Sequence, residues 1–108
     1  MNVRLYLLQR LTAVLMVPLI LGHIAIIFYA TRKGLSAGDI LGRTKGSLGW
    51  GLYYATFVIA AAVHGAIGVR GVAREWGGLR GRSLDLVMWA VGLALAGLGL
   101  RAVYAVVL

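Results

Sequence analysis

The sequence predicts an all-α integral membrane protein, a bundle of three transmembrane helices forming one domain over residues 1–108. Three observations carry this. Hydrophobic residues make up 61% of the chain and the mean hydropathy is +0.91, far above what a small soluble core requires. Only 13% of residues are charged, and they gather in short segments between apolar runs. Three of those runs reach the ~20 residues needed to cross a ~30 Å hydrocarbon core. In such a solvent every backbone polar group must be satisfied within its own segment, so each run is a helix.

The first run is Leu11 to Ala30, and Leu5, Tyr6 and Leu8 extend it into the interface, giving a helix over about 5–31. Pro18 lies inside it, where it bends a membrane helix without ending it. A cleavable secretory signal would also begin with a basic residue such as Arg4. This run is too long for one and lacks a small-x-small site after it. The connector Thr31 to Ser47 spaces Gly34, Gly38, Gly42 and Gly46 four apart. Outside an apolar span that spacing is no helix-packing motif, so a flexible or partly helical connector is expected. The second run, Leu48 to Val69, gives a helix over about 48–72, and the third, Leu86 to Leu108, one over about 84–107.

Lys and Arg outnumber Asp and Glu by 11 to 3, a net charge of +8. Clustered at the ends of apolar runs, this charge belongs to the headgroup region of a lipid bilayer and not to a nucleic-acid interface. Three crossings put Arg4, Arg10, Arg70, Arg74, Arg80 and Arg82 on one side, against Arg32, Lys33, Arg43 and Lys45 on the other, with Arg101 near it. The positive-inside rule then places the N-terminus in the cytoplasm. The absence of cysteine excludes disulfides, zinc–thiolate sites and an iron–sulfur cluster held by this chain alone. Redox chemistry here needs a borrowed cofactor.

Ionisable groups inside a membrane are expensive, which directs attention to His23 and His64. Two roles fit each histidine: a haem-iron ligand, or a hydrogen bond to a neighbouring helix. Residues three and four from His64 are Ala60, Ala61, Ile67 and Gly68, mostly small, which leaves a shallow surface suited either to a flat macrocycle or to a close helix. His64 lies roughly 9 Å along its helix from Arg70, and His23 nearly 20 Å from Arg10. The two histidines therefore occupy different depths, and each needs a partner histidine from another polypeptide to complete a haem. A second group gathers at the N-terminal side: Arg10 and Thr12 open the first helix, and Arg70, Arg74, Glu75 and Trp76 close the second. Arginines pair with haem propionates, and Thr, Glu and Trp hydrogen-bond or protonate a quinone. An ordinary snorkelling and aromatic belt uses the same residue types.

These residues resemble the hydrophobic anchor subunits of succinate dehydrogenase and fumarate reductase, the cytochrome b part of respiratory complex II. His64-Gly65-Ala66-Ile67-Gly68-Val69-Arg70, followed by Glu75-Trp76, is similar to the family's haem-ligand histidine, glycine four residues on, and acid–aromatic pair at the helix end. Gln9-Arg10-Leu11-Thr12-Ala13 is similar to its first-helix entry, an arginine followed two residues later by Ser or Thr. The resemblance implies a haem b with His64 as axial ligand, Arg10 near propionates or quinone, and Glu75 and Trp76 near the quinone. It also implies an electron-transfer role beside a flavoprotein subunit, an iron–sulfur subunit and a second membrane anchor, in a bacterial-type inner membrane. Two features depart from the pattern. Glu75-Trp76 replaces the usual Asp-Tyr, exchanging a phenol for an indole donor. His23 is not required by single-haem anchors, whereas two-haem members place ligands on successive helices at two depths, so His23 is a possible ligand of a second haem. Two other readings are weighed beside this one. A small multidrug-type transporter has similar chain length but four spans and an acid inside the first, and a structural assembly subunit would bind no haem.

Overall fold

The computed structural model describes residues 3–108. Four helices follow in order: α1 Val3–Lys33, α2 Ala37–Thr44, α3 Leu48–Glu75 and α4 Arg82–Val107. Among the described residues there is no strand. The three long helices, of 31, 28 and 26 residues, are each long and apolar enough to cross a bilayer, and they coincide with the three apolar runs. Pro18 lies inside α1, which continues past it to Lys33.

The helices alternate in direction, and α3 is the central one. It packs against both α1 and α4, whereas α1 and α4 barely touch each other. Small residues permit the α3–α4 approach. A methyl added at Gly99 would fall 2.5 Å from Val58 Cγ1, and one at Gly92 would meet the Ala66 Cβ at 3.1 Å. This is membrane helix packing, in which dispersion between closely approached backbones replaces a hydrophobic driving force. On α1 the packed face runs through Thr12, Leu19 and Ala30. Most of its other apolar side chains, Leu11, Val14, Val17, Leu21 and Phe28 among them, point outward. In lipid, or against a partner helix, that exposure carries no penalty.

The connector is more ordered than its glycines imply. Ser36 caps α2 by accepting from the Asp39 N–H at 3.1 Å, while its own hydroxyl donates to Asp39 Oδ2 at 2.7 Å, and the backbone N–H of Ser36 completes a capping box. Gly34 and Gly46 flank this helix with φ of 143° and 74°, values an L side chain rarely adopts. Its far end docks on α4: Thr44 Oγ1 donates to Val106 O at 2.6 Å and the Gly46 N–H to Val107 O at 2.5 Å. Two carbonyls that α4 leaves without intrahelical partners are satisfied in this way.

Candidate functional site

On α1, Gln9 and Thr12 are one turn apart and share the face turned toward α3. Thr12 is 9% exposed, and its hydroxyl lies 2.8 Å from Leu8 O, 3.1 Å from Gln9 O and 3.3 Å from His64 Nδ1. A threonine hydroxyl has one hydrogen to give. Threonine inside a helix commonly directs it to the carbonyl four residues back, here the shortest of the three contacts. The oxygen is then set to accept from His64, an arrangement in which Nδ1 carries the imidazole proton and Nε2 keeps its lone pair. That is the tautomer a metal ligand needs, with the non-ligating nitrogen hydrogen-bonded to fix the ring.

The surface beside His64 is smaller than the i±3 and i±4 pattern suggests. Ala60 and Ile67 are each 3% exposed, consumed by packing within the bundle. Gly68 lies beneath Gln9, whose Nε2 would be 3.6 Å from a methyl added there. Gln9 is the residue that sequence reasoning passed over. Its Oε1 is buried without a hydrogen-bond partner, in the same interface as the Thr12–His64 pair. The available signal was an amide inside the entry turn of a membrane helix, three residues before Thr12 on one face.

The remaining residues of the N-terminal side are spread in height: with Thr12 opposite His64, Arg10 lies about 3 Å beyond that level, Arg70 about 9 Å and Trp76 about 18 Å. Arg10 is exposed and packs its guanidinium over the Tyr6 ring, 5.6 Å from the centroid, away from the α3-facing side. Arg70 Nε donates to Asp85 Oδ1 at 3.3 Å, bridging the end of α3 to the start of α4. Glu75 and Trp76 end α3, with Glu75 exposed and Trp76 86% exposed. Arg10, Glu75 and Trp76 thus present their groups outward, where a partner subunit or a membrane molecule has access to them.

His23 sits in a different environment. Its ring meets Phe57 edge-on at 5.4 Å and Tyr54 at 6.2 Å, within a cluster that also holds Trp50 and Tyr53. Its Nδ1 is buried with no hydrogen-bond partner. Thr12 stands level with His64, and the eleven residues from Thr12 to His23 amount to ~16 Å along α1. Counted on α3, the seven residues from His64 to Phe57 give ~10 Å. The two histidines occupy separate depths, as the sequence implies. Beside His23, Tyr53 Oη donates to Leu19 O at 2.5 Å. Gly22 makes room for this contact, since a methyl there would lie 2.8 Å from the hydroxyl.

Among the described residues no group of three His, Asp or Glu side chains converges as a metal site built from side chains would require. At His64 the Thr12 contact engages one imidazole nitrogen and leaves the other for the iron of a haem, whereas at His23 the buried Nδ1 has no hydrogen-bond partner to orient the ring. Neither the curated proteins nor the solved structures yield a match to this chain. The family model of the succinate dehydrogenase/fumarate reductase transmembrane subunit matches residues 1–100; the chain therefore belongs to that family and is a membrane subunit of such a complex.

Proposed function

We propose that this chain is a haem b-binding anchor that carries electrons between the iron–sulfur subunit of its complex and membrane quinone. The observation that supports it is the Thr12–His64 contact at an intramembrane position, where a hydroxyl whose shortest contact is Leu8 O is set to accept from Nδ1 and so to leave Nε2 for a ligand. His64 would hold the haem iron together with a histidine of a second membrane anchor subunit. When bound, the haem supplies a one-electron relay through the interface between the two anchors. Thr12 orients the imidazole and makes it more basic by accepting from Nδ1. Of the three residues expected near quinone, Thr12 serves His64, while Glu75 and Trp76, exposed at the end of α3, serve the substrate.

Quinone reduction consumes protons as well as electrons. Glu75 is a general acid at the end of α3, and Trp76 is an indole donor beside it. Arg10 and Arg70 supply positive charge for propionates or for the developing charge on a quinone oxygen. The flavoprotein and iron–sulfur subunits dock on this N-terminal side, which the arginine excess assigns to the cytoplasm of a bacterial-type inner membrane. His23 is a second-site candidate whose haem would lie deeper. The pyridine haemochrome spectrum of the assembled complex tests the proposal. A b-type haem that disappears in His64→Ala, with the three spans still inserted, is the expected result. An unchanged spectrum removes His64 as a ligand and leaves a structural assembly subunit.

A further inference from the structure

Beyond the haem and quinone chemistry, α3 and α4 form a seam with two consecutive features. The first is an open groove of 320 Å³ lined by apolar surface alone, with Ile59 and Ala66 of α3, Met88 and Ala96 of α4, and Leu5 and Leu8 of α1 at its edge. The second is a cleft of 440 Å³ formed by Arg70, Arg74, Arg80, Gly81 and Leu84. They adjoin. Arg70 is one helical turn beyond Ala66 and Ile67 on the same face of α3, and Leu84 is one turn before Met88 on α4.

We infer that this seam binds one anionic phospholipid, its phosphate in the arginine cleft and an acyl chain in the apolar groove. Three properties fit that occupant. The eleven residues from Ile59 to Arg70 give a length of ~16 Å, which is about half of a ~30 Å core and so one leaflet deep. The groove is apolar throughout and runs on into the arginine cleft, the succession of surfaces that an acyl chain and its phosphate head require. The cleft, finally, carries two guanidiniums that the haem and quinone chemistry does not use, Arg74 and Arg80, beside Arg70, which Asp85 engages through Nε. Guanidiniums are matched to phosphate oxygens, whereas the neutral head of a quinone does not call for this further pair. Arg80 is set at this height by the α3–α4 turn, where Gly78 and Gly81 have φ of 68° and 63°.

The test uses the assembled complex, exchanged into bilayers of phosphatidylglycerol and phosphatidylcholine with identical acyl chains, then re-extracted for the lipid it retains. Retention of phosphatidylglycerol in preference to phosphatidylcholine is expected. Arg74→Gln and Arg80→Gln should each weaken it about fivefold, in line with one basic residue near an anionic surface. Arg80→Lys, which keeps the charge, should retain most of the preference and serves as the comparison where Arg80→Gln lowers the yield of complex. Ala96→Leu, which fills the groove, should reduce retention, and inorganic phosphate should fail to displace the lipid. Equal retention of the two lipids overturns the inference without any variant. Displacement by inorganic phosphate together with an indifferent Ala96→Leu reduces the cleft to a free-anion site. Loss of the second membrane subunit, or a raised KM for quinone, in Ala96→Leu at unchanged lipid content assigns the groove to that other occupant.

Discussion

Thr12 Oγ1 of α1 stands 3.3 Å from Nδ1 of His64 on α3, while its own hydrogen points back to Leu8 O at 2.8 Å. One hydroxyl thereby joins two membrane helices at the imidazole and favours the tautomer protonated on Nδ1. Removing it should change the ligand without removing it. Thr12→Val keeps the volume but offers no acceptor, so the imidazole becomes a weaker base and ferric haem is stabilised less. The expected result is a raised midpoint potential of the b-type absorbance and a 10- to 100-fold weaker hold on haem, on the order of other losses of a ligand's hydrogen-bond partner. Thr12→Ser should restore both. A potential that stays put in Thr12→Val would mean that the contact positions helices only.

The division of roles at the N-terminal side predicts a different phenotype for the outward-facing residues. Arg10 and Glu75 are exposed and do not touch His64. Arg10→Ala and Glu75→Gln should therefore leave the haem spectrum intact and slow quinone reduction by 10²- to 10⁴-fold where the lost group transfers a proton. Electron delivery to a soluble dye, which needs no quinone site, should change little. Equal loss in both assays points to faulty assembly.

The three spans were legible because ~20 apolar residues in succession admit little but a membrane helix. Thr12, His64 and Glu75 stood out as polar groups in or beside that apolar background. What the sequence does not carry is the register of one helix on another. Nothing in a list of residues says that Thr12 faces His64 while Arg10, two positions earlier, turns outward to Tyr6. The same gap hid Gln9, whose contact with Gly68 depends on α1 and α3 meeting at that height. It also hid Asp85, a partner that Arg70 acquires only when α4 folds back. The connector is a different case, since Ser36 and Asp39 have capping-box spacing. There the regular glycines drew attention from a local signal that was present.

Helix α2 should respond to acid through that box. The hydrogen bonds from the Ser36 side chain and then its backbone hold the Asp39 carboxyl below its ordinary value of 3.8, with Arg43 adding a smaller pull in the same direction. A carboxylate whose folded pKa is depressed contributes its stabilisation above the unfolded pKa and loses it as pH falls through the folded one. Amide exchange of α2 should therefore show protection that is flat from neutral pH down to about 4 and declines below 3.8. Asp39→Ala should lower the neutral-pH protection and flatten this decline. A pH profile identical in Asp39→Ala would sever the link.

Packing at Gly99 gives a prediction for stability. A methyl there would lie 2.5 Å from Val58 Cγ1 and 2.9 Å from Cγ2, while one at Gly42 meets nothing within 4 Å. Gly99→Ala should destabilise the α3–α4 pair by about 1–3 kcal/mol, the range for overfilling a close-packed site. Gly42→Ala, on α2, should be neutral or slightly stabilising because alanine loses less backbone entropy in a helix. Thermal unfolding of the two variants in detergent measures the difference. Indistinguishable midpoints would show that α3 and α4 separate at low cost to admit the methyl.

His23 combines a buried, unpaired Nδ1 with edge-on contacts to Phe57 and Tyr54. An unsatisfied buried nitrogen costs about 1–3 kcal/mol, and phenylalanine keeps the ring while removing that nitrogen. His23→Phe should thus stabilise the isolated chain by about 1 kcal/mol, a fraction of that cost once the larger ring is accommodated. The depth separation of ~10–16 Å along the helices makes the absorbance that depends on His64 indifferent to the change. Haem stoichiometry in the assembled complex decides the remaining role. A count that is the same in His23→Leu leaves His23 as a packing residue, whereas two haems falling to one assign it to a second, deeper haem. In that second case His23→Phe should destabilise the loaded complex while still stabilising the chain alone, because the nitrogen that is a liability in the free subunit is then the one that binds.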